Sequence, residues 1–183
     1  PLYYENLPFR TRLMGGCTAH QKTAEKARDL NGFAFATTDP DELIYHHAID
    51  IIHICTPNTY HKETVIKALK AGKHVYCEKP LTTSYADAQD ILAVLDSHSD
   101  VITQMTFHNR FFPAVIRAKQ LISEGRLGRI LSFHATYLHS GSVDPNKPIG
   151  WKQDSALGGG VLFDMGSHVL DLIYYLIGKY HSI

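Results

Sequence analysis

Between residues 12 and 107 short apolar runs alternate with helical stretches, and no other feature of the chain narrows its fold so far. The apolar runs are Arg12–Cys17, Phe33–Ala36, Ile49–Cys55, His74–Cys77 and Val101–Phe107. The first helical pattern covers His20–Asn31, with Thr23 able to cap, Ala24, Ala27 and Leu30 on one stripe, and Asn31-Gly32 as the stop. A second begins at Asp39-Pro40-Asp41-Glu42-Leu43, with acid in its first turn. Tyr60–Ala71 presents Val65, Ile66 and Leu69 and closes at Gly72; Ser84 caps a helix through Ser97 with Ala88, Ile91, Leu92 and Leu95 inward. Strands that alternate with helices of about 10–15 residues predict βαβ units and a parallel sheet. Ile49–Cys55, apolar on both faces, reads as its central strand. Right-handed crossovers then gather the strand C-termini along one edge, where open α/β sheets bind ligands.

After Phe112-Pro113 the pattern changes. Ala114–Glu124 reads as a helix closed by Gly125, and Arg129–His139 alternates loosely, as a half-exposed, antiparallel strand would. Ser140–Ser155 is irregular and holds Trp151; Gly158-Gly159-Gly160 then leads into a helix over Leu162–Ile177 stopped by Gly178. A domain boundary is expected near residue 108, dividing the chain into 1–107 and 108–183.

Charge excludes some partners. Lys+Arg and Asp+Glu balance at 18 each, which gives no electrostatic basis for binding nucleic acid or a membrane surface. No apolar run approaches the roughly 18 residues that span a bilayer. The 3 cysteines, widely spaced and without C-x-x-C, fit neither a disulfide framework nor a structural zinc site, and point to a reducing, cytoplasmic setting.

Cys77-Glu78-Lys79-Pro80 ends an apolar run just before a helical pattern, so Glu78 and Lys79 should face the crevice at the sheet edge. Pro80 keeps Lys79 out of the helical region and fixes the direction of its amine. Lys79 reads either as a reactive amine or as a solvated strand-end lysine paired with Glu78. Asp164 and His168, four apart on the last helix, share one face; there a carboxylate can orient an imidazole, or the two can form an ordinary surface pair. His61, after Thr56-Pro57-Asn58, reads as a binding residue at a helix N-terminus or as a polar first-turn residue. The 12 histidines are scattered, without H-x-x-x-H or H-E-x-x-H, and no metal site is expected.

Taken in order, Thr56-Pro57-Asn58 with His61, then Glu78-Lys79-Pro80, then Gly158-Gly159-Gly160 with Asp164-Met165-Gly166-Ser167-His168 resemble the successive motifs of the Gfo/Idh/MocA oxidoreductases, the glucose–fructose oxidoreductase and inositol dehydrogenase family. The resemblance implies a Rossmann domain that binds NAD or NADP, followed by an α/β domain with an open, mostly antiparallel sheet that carries the substrate site and mediates homo-oligomerisation. It implies that Lys79 lies near the nicotinamide, before a cis peptide to Pro80, and that Asp164 and His168 form the substrate-side acid/base pair. Trp151-Lys152 matches a Trp-Arg that touches the cofactor, with Lys in place of Arg, and Asn109-Arg110 falls where a polar–Arg pair lies near the domain junction. The implied cofactor contacts are Thr18, Thr56, Pro57, Asn58, His61, Glu78, Lys79, Pro80, Asn109, Trp151 and Lys152, and the implied catalytic residues are Lys79, Asp164 and His168.

Two departures accompany the resemblance. The family's first strand and G-x-G-x-x-G, which hold the pyrophosphate, are not in the sequence, and the family continues past the last helix. The chain is therefore expected to be an internal piece of a longer enzyme that binds the dinucleotide poorly by itself. The second strand closes on Thr18-Ala19-His20 instead of the acid that meets a ribose 2′-hydroxyl, so the coenzyme reading leans to NADP. The expected reaction is hydride transfer between nicotinamide and a secondary alcohol or ketone of a sugar, cyclitol or related polyol. A non-catalytic nicotinamide-binding or oligomerising role, or another redox-linked reaction on the same fold, is the alternative.

Overall fold

The structure, a computed structural model, describes residues 11–141 and 143–180; the helix tail or loop expected over Glu5–Arg10 lies outside them. Its strands are parallel and come in two blocks. In the first, β1 (Gly15–Cys17) pairs with β2 (Phe35–Thr37), and α1 (Gln21–Asn31) crosses between them. Gly32 ends α1 at φ 73°, a left-handed conformation that favours glycine. The cap position belongs to His20 and not to Thr23, whose hydroxyl instead donates to the His20 carbonyl at 2.8 Å. Asp39 starts the short α2 (Pro40–Ile44) by accepting from the Asp41 N–H at 2.9 Å, with Pro40 at the first helical position.

In the second block β3 (Ile51–Ile54), β4 (His74–Cys77) and β5 (Thr103–Met105) lie in that order. They are joined by α3 (His61–Lys70) and α4 (Tyr85–Leu95), the latter capped by Ser84 as expected. Ile52, Ile54, Val75 and Cys77 point from the sheet into a core completed by Val65, Ala68 and Leu69 of α3 and Ile91 of α4. Leu92 does not join them. It is 46% exposed, and Val94 packs against the core in its place, because α4 turns its Ile91, Val94 and Leu95 side inward.

β3 also departs from the reading of a strand buried on both faces. Its pattern alternates, with Ile52 and Ile54 buried while Ile51 and His53 are exposed. Among the described residues it pairs only with β4, and no ladder bond joins it to β1, so one face and one edge stay open.

Beyond residue 108, α5 (Pro113–Ser123) packs on α6 (Ser167–Ile177). The antiparallel strand expected over 129–139 does not form: the segment has no paired strand among the described residues and is exposed along its length. An alternating sequence makes a strand only where another supplies its ladder bonds. The helical turns over Ser155–Ile177 are long and apolar enough to cross a membrane by length and composition, which departs from the expectation that no stretch is. They carry two aspartates, however, each ion-paired to a cation from elsewhere in the chain. We therefore read them as a surface helix docked on the protein.

Truncating Leu69, fully buried in α3, to alanine is expected to lower unfolding free energy by about 2–5 kcal/mol. Leu92→Ala should cost less than about 1 kcal/mol. Chemical denaturation of both variants checks this core, and a larger loss for Leu92→Ala would contradict it.

Candidate active site

The β3–β4 register opposes Ile54 to Cys77, and the Glu78 N–H still donates to the Ile54 carbonyl at 2.9 Å. The residues that leave the two strands, Cys55-Thr56 and Glu78-Lys79, therefore emerge side by side at the C-terminal edge. They form one wall of a cleft of about 300 Å³ whose lining also includes Asn58, Trp151, Lys152, Gly159 and Asp164.

The glycine run closes the other wall. The buried Asn58 side chain donates to the Gly158 carbonyl at 2.7 Å, joining segments 100 residues apart. Gly158 has φ +74°, and a Cβ there would stand 2.3 Å from Thr83 Cγ2, so both backbone conformation and space demand glycine. A Cβ on Gly159 would crowd the carbonyls of Trp151, Lys152 and Asp154, all within 2.7 Å. At the triple glycine the backbone thus folds back closely on 151–154.

Lys79 reaches across this cleft. Its Nζ donates to the backbone carbonyl of Asp164 and, at 3.1 Å, to Asp164 Oδ1, and its side chain is only 13% exposed. Lys152 Nζ lies 3.3 Å from the same Oδ1 and 5.8 Å from the centroid of the Trp151 ring. Burial would raise the Asp164 pKa, but the two ammonium groups, Lys79 foremost, outweigh it and hold the carboxyl below its usual value. Lys79 does not pair with Glu78, whose nearest cation-forming partner is His53 at 3.9 Å. The Lys79–Pro80 peptide is cis.

His168 is buried, yet Asp164 does not hold it: no hydrogen bond joins the two, and His168 Nδ1 has no partner. Residues Leu162–Gly166 form a π-helical turn, which changes the angular offset between positions four apart from that of an α-helix. Asp164 consequently lines the large cleft, while His168 lines a smaller cavity of about 90 Å³ with Asn109, Phe133 and Tyr137. Burial first, and then the positive charge of Lys79, push the His168 pKa down to about 4, against smaller opposing effects of Asp164 and Asp171. The imidazole is neutral over the physiological range, with an acceptor or donor nitrogen unmatched.

The remaining expected contacts divide. Thr56, Asn58, Glu78, Lys79, Trp151 and Lys152 meet in the cleft, and Asn109 lies beside His168. Pro57 instead precedes the 3₁₀ turn Asn58–Tyr60 and accepts from the Tyr60 N–H at 3.0 Å. His61 is fully buried behind the cleft, with Nδ1 2.8 Å from the Pro80 carbonyl and Nε2 2.9 Å from the Thr56 carbonyl, and so braces the two strand-end loops. Thr18 closes β1 in the other block, where its hydroxyl donates to the His20 carbonyl at 3.0 Å.

Sequence reasoning missed Cys55 in the cleft wall, His108 with its ring 5.0 Å from that of His168, and Asp171. Asp171 takes Arg110 in a two-pronged ion pair, one bond 2.8 Å long. The one available signal was its position, three residues after His168 on the same helix.

Comparison with known proteins gives matches over both halves. Residues 3–106 match the model of the GFO/IDH/MocA family, described as an oxidoreductase family with an NAD-binding Rossmann fold, and residues 115–183 match a GFO/IDH/MocA C-terminal domain. Levoglucosan dehydrogenase of Pseudarthrobacter phenanthrenivorans is 39% identical over 168 residues, covering 90% of this chain and 42% of that protein. Human glucose-fructose oxidoreductase domain-containing protein 2 is 32% identical over 161 residues, 86% of this chain and 41% of that protein. Among solved structures, levoglucosan dehydrogenase in complex with NADH and levoglucosan superposes with a TM-score of 0.91 at 35% identity, covering 98% of this chain and 49% of that one. The chain spans about half the length of the relatives it matches.

Removing the Lys79 cation as Lys79→Met is expected to raise the His168 pKa from about 4, whereas Asp164→Asn should lower it further. Ring-nitrogen NMR titration reads both. In the unmodified chain the depressed value means that stability falls as pH drops from about 6.5 towards 4, because the unfolded chain takes up a proton that the folded ring refuses.

Proposed function

The chain belongs to the GFO/IDH/MocA oxidoreductases, a family with an NAD-binding Rossmann fold, and from that premise we propose that its cleft serves hydride transfer between a nicotinamide and a secondary alcohol or ketone of a sugar, cyclitol or related polyol. The observation that carries the reading is the Lys79 ammonium, held by Asp164 at the wall of a cleft above the strand C-termini, with its charge acting on a His168 ring whose Nδ1 has no partner. The lining suits a nicotinamide: Thr56, Asn58 and Glu78 offer hydrogen-bonding groups, and Trp151 offers a flat face. Once bound, that group supplies or accepts the hydride; everything else falls to the chain.

In this reading Lys79 donates a hydrogen bond to the reacting oxygen and stabilises negative charge as it develops there. Asp164 keeps that ammonium oriented across the cleft. His168, neutral and desolvated, uses its free nitrogen to take or return the hydroxyl proton. Asp164 therefore acts through the lysine and not, as the spacing suggested, through the histidine.

For coenzyme choice, Thr18, His20 and Lys22 beside the end of β1 include no carboxylate, which supports tolerance of a 2′-phosphate. We further propose a division of labour at residue 108, with 1–107 for the dinucleotide and 108–183 for the substrate and for contacts between copies of the protein. The exposed apolar side chains Leu127, Leu131, Phe133 and Leu138 support self-association there. Free thiols at Cys17, Cys55 and Cys77 support a cytoplasmic setting.

In the full protein, Lys79→Met is expected to lower kcat by about 10²–10⁴-fold while dinucleotide binding persists. Absorbance of the reduced nicotinamide, followed with a polyol and sugar panel and both coenzymes, provides the measurement. Unchanged kcat in that variant would remove the basis for this mechanism.

A further inference from the structure

A donor cluster stands at the rim of the cleft on the exposed face of β3, and two of its members, Cys55 and Glu78, also line the cleft. His53 in β3 and Cys55, the first residue past that strand, are two apart and exposed, on the side opposite the buried Ile52 and Ile54. The parallel register sets Glu78, the residue after β4, beside Cys55. His53 Nε2 lies 3.2 Å from Cys55 Sγ and 3.9 Å from Glu78 Oε1, and the three donor atoms lie within 4.8 Å of one another. Tetrahedral zinc with bonds of about 2.0–2.3 Å puts its ligand atoms roughly 3.4–3.6 Å apart. The observed separations bracket that value before any side chain moves.

We propose that His53, Cys55 and Glu78 form a three-ligand site for a borderline-soft divalent cation, Zn²⁺ above all, at the edge of the cleft. One nitrogen, one sulfur and one carboxylate oxygen match zinc chemistry, and a hard cation such as Mg²⁺ has no use for the thiolate. Three protein ligands leave the fourth position to water. His53 lies in β3, and Cys55 and Glu78 are the first residues past β3 and β4, tied together by the Glu78 N–H bond to the Ile54 carbonyl, so the spacing is set at the sheet edge. His53 and Glu78 side chains are 44% and 38% exposed, so an ion can reach them from solvent.

Binding has a defined proton balance. Burial lowers the His53 pKa, with Glu78 only partly opposing it, so the ring is neutral and its lone pair is free. Burial and then Glu78 raise the Cys55 pKa, so the thiol is protonated until a cation displaces that proton. One ion bound therefore forms one metal–sulfur bond and releases one proton to the buffer, with no redox change.

The H-x-C pair at a strand end, completed by a glutamate 23 residues later, matches no standard metal-ligand spacing, which is why the sequence did not suggest it. The bland account is a simple contact between Cys55 and His53 with no affinity for ions.

The test uses the reduced 183-residue chain titrated with Co²⁺ and Zn²⁺. Expected are one Co²⁺ per chain with a thiolate-to-cobalt charge-transfer band, displacement of that band by Zn²⁺, and one proton released per ion. Cys55→Ser should abolish the band. His53→Gln and Glu78→Gln should each weaken Zn²⁺ by more than the ~10–100-fold typical of losing a mere outer partner of a metal ligand. Cys17→Ser should leave binding unchanged. All three ligand side chains are partly or largely exposed, so their variants are expected to keep the native circular dichroism. Charge transfer that survives in Cys55→Ser, affinity that ignores His53→Gln, or weak binding spread over many sites overturns the proposal.

Discussion

The alignment of β3 with β4 determines the rest. Two facing residues, Ile54 and Cys77, are each 2% exposed, so the pair is anchored from the core side and cannot slip. A shift of one residue would turn every buried side chain to the open face. The alignment persists one residue past each strand, through the bond from Glu78 to Ile54, and continues into the next strand through Thr106 N–H to the Cys77 carbonyl at 2.9 Å. His61 then fills the space between the carbonyls of Thr56 and Pro80, 2.9 and 2.8 Å from its two ring nitrogens. The amine of Lys79 thus starts from a backbone held on both sides.

Electrostatics above that edge follow from a competition for one carboxylate. Asp164 had two candidate partners, a helix-mate imidazole and the ammonium groups across the cleft. Hydrogen bonds between full charges are roughly twice as strong as those between neutral groups, so the lysines win. His168 is left neutral, buried and short of a partner, and the nearby cation makes protonation costlier still. A buried nitrogen without a partner is disfavoured unless something fills the gap. Here the ring lines the small cavity it shares with Asn109, Phe133 and Tyr137.

Much of this was legible in the residues because it rests on local rules. Alternating apolar runs and capped helices set out the parallel blocks, and Asp39, Ser84 and Gly32 hold their helix ends as short-range chemistry requires. The cleft residues at the strand ends could be named because sheet topology brings strand C-termini together. Three things lay out of reach. The open face of β3 depends on what packs over it, which an apolar pattern cannot report. The strand-like alternation over 129–139 needs a partner to become a strand. The turn that separates Asp164 from His168 is π-helical, and a spacing of four is read as α-helical by default.

The glycines show how a distant segment comes to share the strand-edge site. Gly158 serves because its φ and the methyl of Thr83 exclude any side chain, Gly159 because three carbonyls surround it, and Gly160 because its φ of +127° is closed to other residues. Each meets a different constraint, and together they let residues 151–154 fold back until Trp151 and Lys152 face Lys79. The Asn58–Gly158 bond then fixes the wall against the loop that leaves β3. The two walls of the cleft are therefore joined by the Asn58 side chain, and the ion pair between Lys79 and Asp164 spans the gap between them. A lysine that had to search for its carboxylate would lose side-chain entropy at each closure; one that finds it in place loses little. The cleft is preorganised because the glycine backbone and the buried Asn58 bond set its walls before Lys79 meets Asp164.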